Sequence, residues 1–137
     1  MGDKKKSVLV IDDEADIRDY LTCLLNDNGF AVQTAVNGEE GLKRIEAARP
    51  DLVTLDITMP VKTGIRVYRD MRKHPEWKGI PIIIITGIIK DFERFISTRR
   101  TVPPPDGYIH KPIDRQKLLD LVHRLTGQAD RPMSASI

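Results

Sequence analysis

The sequence predicts a three-layer α/β sandwich, a parallel sheet covered by helices on both faces. Three observations carry this. Strand-like and helix-like segments alternate five times along the chain, the pattern of consecutive βα units. The run Val8-Leu9-Val10-Ile11 is apolar without alternation, as suits a strand buried on both faces. It ends abruptly in Asp12-Asp13, and Leu52-Val53-Thr54-Leu55 ends the same way in Asp56. Right-handed crossovers put the first strand near the centre, and ligands bind at the carboxyl ends of such strands.

Each element has its own signal. Ser7 to Ile11 reads as the first strand. Glu14 to Asn28 reads as a helix, because Ile17, Leu21, Leu24 and Leu25 share one face, and Asn28-Gly29 offers a left-handed stop. Phe30 to Thr34 is a weaker strand. Asn37 and Glu40 have capping-box spacing and open a second helix that ends before Pro50. Leu52 to Leu55 is the third strand, and Gly64 to Lys73 a helix followed by a loop over His74 to Gly79.

Ile80 to Ile85 is rich in β-branched residues and reads as a central strand. Asp91 to Arg100 suggests a short helix, and Gly107 to His110 the last strand. Asp114 caps a final helix with Leu118, Leu121, Val122 and Leu125 on one face, Ile113 and Leu118 are placed for a hydrophobic staple, and Gly127 ends it. This divides the chain into a lead-in over 1–6, a domain over 7–126, and a tail or cut linker over 127–137.

Composition excludes several classes. A chain of 137 residues, 40% apolar and 31% charged, fits one domain with a real core. A net charge of +2, from 22 basic and 20 acidic residues, gives no general case for nucleic acid or membrane binding. The single cysteine, Cys23, excludes an internal disulfide and a cysteine-rich zinc site. With no apolar stretch behind Lys4-Lys5-Lys6 and none long enough to span a bilayer, a cytoplasmic location is expected. His74, His110 and His123 are scattered and form no triad or zinc pattern.

The three acids raise a chemical question. Like charges at two strand ends are costly unless a cation neutralises them. An oxygen-only ligand set favours Mg²⁺ over zinc. The plainer reading is that each acid caps the helix or turn behind it.

Further residues complete a pattern. Thr86 follows the fourth strand and Lys111-Pro112 the fifth, and Asp56-Ile57-Thr58-Met59-Pro60 leads to Gly64. Each piece is common alone; the ordered set, each piece at its strand end, resembles the receiver domain of two-component response regulators, of the single-domain chemotaxis-regulator type, over roughly Lys6 to Leu125. The resemblance implies a doubly wound, flavodoxin-like five-stranded sheet with strand order 2-1-3-4-5. It implies a cytoplasmic signalling switch rather than an ordinary enzyme, limited to self-phosphotransfer and slow loss of the phosphoryl group.

The resemblance also assigns roles. Asp56 would be the phosphoacceptor, a carboxylate nucleophile taking a phosphoryl group from a phosphohistidine. Its repulsion of the incoming group calls for a metal between them. Asp13 and Asp56 would ligate Mg²⁺ directly, with the Thr58 backbone carbonyl, and Asp12 through water; Mn²⁺ is the alternative ion. Lys111 would pair with a phosphoryl oxygen, its bond to Pro112 being cis. Thr86 would hydrogen-bond the phosphoryl group, and Tyr108 would swing inward with it; the plain alternatives are a strand end and half-buried packing. Gly87 would leave room beside the phosphate, and Gly64 would start the next helix because glycine tolerates the turn conformation. Partners would be a histidine kinase or histidine phosphotransfer protein and an unknown output partner, on a monomer or a weak phosphorylation-dependent homodimer.

Two places depart from the family pattern. Before Tyr108 stands Ser97-Thr98-Arg99-Arg100-Thr101-Val102-Pro103-Pro104-Pro105-Asp106, whose prolines cannot continue a helix. This puts the usual dimer and partner contacts in doubt. Two residues beyond Thr86 stands Ile88, which cannot hold a hydrolytic water, so slow self-dephosphorylation is expected. The rival from another class is a Mg²⁺-dependent aspartyl phosphohydrolase of the haloacid type. That class uses Asp-x-Asp, whereas these acids are adjacent and Asp56 stands apart.

Overall fold

The computed structural model describes residues 5–57, 64–87 and 104–127. Five strands and four helices lie among them: β1 (Ser7–Ile11), α1 (Ala15–Asp27), β2 (Ala31–Ala35), α2 (Gly38–Ala47), β3 (Leu52–Leu55), α3 (Gly64–Lys73), β4 (Ile82–Thr86), β5 (Gly107–His110) and α4 (Arg115–Thr126). The helix expected over 91–100 lies outside the described residues. All strands are parallel, in the order β2-β1-β3-β4-β5. The order reverses between β1 and β3, and the carboxyl ends of those two strands form the crevice of an open α/β sheet.

Alternating strand residues feed two cores. Leu9, Ile11, Val53, Leu55, Ile82 and Ile84 pack with Ile45 of α2 and Val67, Tyr68 and Met71 of α3. Val8, Val10, Leu52, Ile83 and Ile85 face the other way, against Leu21, Leu24 and Leu25 of α1 and Leu118, Leu119 and Val122 of α4. The unbroken apolar runs are therefore buried on both sides, which is why they lack a period of two.

Most boundaries follow local chemistry. Asn37 caps α2 by accepting from the Glu40 amide at 2.8 Å. Glu40 reaches back to the Val36 amide at 2.7 Å, one residue earlier than the capping box requires. Asp114 caps α4 through the Lys117 amide. Gly29 and Gly127 take the left-handed conformation behind α1 and α4, at φ 91° and 80°. β2 and β4 start one and two residues later than the residue pattern suggests. Ile80 turns back to Trp77 through its amide, and Pro81 has no N–H to donate, so pairing in β4 begins at Ile82.

Candidate functional site

Register brings the acids together. Ile11 pairs with Leu55, and the Asp56 amide donates to the Ile11 carbonyl at 3.0 Å, so Asp12 and Asp56 emerge side by side. Both are buried, at 2% and 1% exposure, whereas Asp13 is exposed. One carboxylate oxygen from each of the three lies within 4.8 Å of the others. This all-oxygen donor set, with two buried charges, fits a hard divalent ion such as Mg²⁺. Thr58, the backbone ligand expected from the sequence, lies outside the described residues.

Asp12 combines a local cap with an ion pair to Lys111. Its Oδ1 accepts from the Glu14 amide at 2.9 Å, which is local capping. Its Oδ2 faces Lys111 Nζ at 3.2 Å. Burial lifts the Asp12 carboxyl above its ordinary range; the Glu14 amide and Lys111 oppose the rise, and the Asp56 charge adds to it.

Lys111 enters from the end of β5, where its amide donates to the Thr86 carbonyl at 3.1 Å. The bond to Pro112 is cis. Its ammonium lies 3.3 Å from Asp56 Oδ2 and 2.6 Å from Glu14 Oε1. Burial alone would lower its pKa. The Glu14 hydrogen bond and the Asp12 and Asp56 charges outweigh that and hold it above the usual lysine range.

The remaining sequence candidates fall around this centre. Thr86 is fully buried at the end of β4, and Tyr108 is half-buried against the core of α2 and α3. A Cβ on Gly87 would meet nothing within 4 Å among the described residues. Gly64 does begin α3, but for a different reason from the one its residue type suggested. A Cβ there would strike the Asp56 carbonyl oxygen and Ile57 Cα, and its φ is not positive. The constraint is close backbone approach, which holds the strand end bearing Asp56 against α3. His74 stacks on Trp77 and His123 lies tilted against Phe30, and neither joins the acids.

Two participants escaped sequence reasoning. Glu14 directly follows the acid pair but read only as a helix start. Arg18 donates through Nη1 to the Asp12 carbonyl at 2.9 Å. Their signal was an acid and a base four apart, which suits an ordinary exposed helix pair equally well.

A parallel 2-1-3-4-5 sheet with a lysine facing clustered acids at its switch point defines a receiver fold. The family model of the response regulator receiver domain matches residues 8–123, and the chain belongs to that family. Among relatives, it is 32% identical over 117 residues to protein Rrf1 of Nitratidesulfovibrio vulgaris, covering 85% of this chain and 80% of that one. It is 34% identical to the probable transcriptional regulator ycf27 of Pyropia yezoensis, over 96% of this chain and 51% of that protein. The chain thus spans about half the length of several curated relatives it matches. Among solved structures, chemotaxis protein CheY4 of Vibrio cholerae superposes with a TM-score of 0.79 at 30% identity, covering 89% of this chain and 99% of that one. No helix among the described residues is long and apolar enough to cross a membrane.

Proposed function

We propose that this receiver domain, placed over residues 7–126, is a phosphorylation-activated switch with Asp56 as its phosphoacceptor. The observation that carries the reading is Lys111 Nζ at 3.3 Å from Asp56 Oδ2, beside a three-carboxylate cluster. Burial keeps water from competing for the Asp56 oxygens, and Lys111 supplies a fixed positive charge where phosphoryl oxygens arrive. In the transfer, an Asp56 oxygen bonds to phosphorus while the phosphorus–nitrogen bond of a phosphohistidine breaks. The imidazole leaves with that electron pair and takes up a proton. Mg²⁺ held by Asp13 and Asp56, with Asp12 behind, would neutralise the carboxylates and the incoming oxygens.

Thr86 and Tyr108 are proposed as the element that carries the new charge to the surface of β5, α4 and the helix expected over 91–100. The donor is a histidine kinase or histidine phosphotransfer protein in the cytoplasm, and the output passes to a partner or to a further domain. Ile88, outside the described residues, is proposed to keep hydrolysis of the acyl phosphate slow; Ile88→Glu or Ile88→Asn should speed its loss.

The test is intact mass after incubation with acetyl phosphate, with and without Mg²⁺, beside Asp56→Asn. The expected result is a Mg²⁺-dependent gain of one phosphoryl group, absent in the variant. Equal labelling of Asp56→Asn would overturn the assignment.

A further inference from the structure

We infer that Glu14 is a latch on Lys111: it occupies the lysine in the resting protein and yields it when Asp56 carries a phosphoryl group. This rests on the proposed role of Asp56. An ammonium has three N–H donors, and three carboxylates surround this one, Glu14 at 2.6 Å, Asp12 at 3.2 Å and Asp56 at 3.3 Å. The shortest contact therefore goes to a residue the reaction does not otherwise use.

No local duty explains where the Glu14 carboxylate points. Glu14 stands at the N-cap of α1, yet its side chain makes no capping hydrogen bond. Its amide is taken by Asp12 Oδ1, and its carbonyl accepts from the Arg18 amide at 3.1 Å. The side chain instead reaches Lys111, 97 residues away in sequence.

A phosphoryl oxygen on Asp56 needs a donor from Lys111, so one of the three carboxylates must give way. Asp12 is buried and held by the Glu14 amide. Asp56 bears the new bond. The Glu14 side chain is 58% exposed, against 18% for Lys111, and can rotate into water. Exposed ion pairs are held weakly, so the latch is light.

The test follows phosphorylation by acetyl phosphate through intact mass, at Mg²⁺ saturating for each variant. Glu14→Gln should label about two- to fivefold faster than the wild type. Glu14→Asp keeps the charge but withdraws it from Lys111 by one methylene, and should resemble Glu14→Gln. In the metal-free protein, the side-chain ammonium NMR signal of Lys111 should shift in both variants, a change that mere support of α1 would not produce. Unchanged labelling in Glu14→Gln, or Glu14→Asp labelling at the wild-type rate, would overturn the latch while leaving Asp56 in place. A wild-type chain that takes up no phosphoryl group would overturn both.

Discussion

Arg72 and Asp106 lock the start of the last strand onto the third helix. Arg72 Nη2 donates to Asp106 Oδ2 at 2.8 Å, and the same oxygen accepts from the Ile82 amide at 2.8 Å. The Arg72 side chain is only 7% exposed. It stacks on the Tyr68 ring, 5.1 Å from the centroid, and donates to the carbonyls of Lys78 and Ile80. Asp106 ends the proline-rich stretch that marks this chain, so the clamp sets where that stretch becomes β5.

Asp106→Ala should therefore destabilise the domain by about 1–3 kcal/mol, because it leaves a shielded guanidinium and a buried amide without their acceptor. Urea unfolding of the variant beside the wild type measures this, and a change within error would mean that water replaces the carboxylate.

Gly64→Ala should cost about 1–3 kcal/mol and depress labelling at Asp56, since the added carbon meets the rigid Asp56–Ile57 backbone. Gly41→Ala is the control. Its Cβ would come within 2.6 Å of Ile11 Cδ1, the movable end of a side chain. It should be milder and leave labelling intact.

Mg²⁺ should raise the stability of the wild-type protein by about 2–3 kcal/mol at a hundredfold excess over its dissociation constant. Asp13 is exposed, so Asp13→Asn should leave metal-free stability within about 0.5 kcal/mol of wild type while removing most of the Mg²⁺ increment. Thermal unfolding with chelator and with Mg²⁺ separates the two effects.

Burial raises the Tyr68 phenol above 10.0, although Arg72 pulls the other way. The unfolded chain then loses this proton first as pH rises, so the folded state binds more protons in that window. Stability should fall as pH climbs from 10.0 upward. Tyr68→Phe should flatten that decline, read as the slope of unfolding free energy against pH.

Much of this architecture was legible in the residues. Val8 to Ile11, Leu52 to Leu55 and the isoleucines before Thr86 announce buried parallel strands, because a strand covered on both faces has no polar side to show. Asn37, Asp114, Gly29 and Gly127 mark helix ends through local hydrogen bonds and backbone freedom, which need no distant partner. The start of β4 was less legible, since Ile80 turns back to Trp77 and the Ile82 amide is then held by Asp106, 24 residues away.

The sequence by itself determined the alternation of strands and helices, the acids at two strand ends, and the ordered set that placed the chain among receivers. Those features are local, or are fixed by chain order. Only the tertiary structure decided that Glu14 rather than Asp56 is the nearest partner of Lys111, and that Gly64 is demanded by the Asp56 backbone rather than by its own φ. It also joined a shielded Arg72 to an exposed Asp106 as a clamp. Glu14 meets Lys111 across 97 residues and Arg72 meets Asp106 across 34. Gly64 meets Asp56 only because α3 packs back on the end of β3, and no spacing of residue types encodes these contacts.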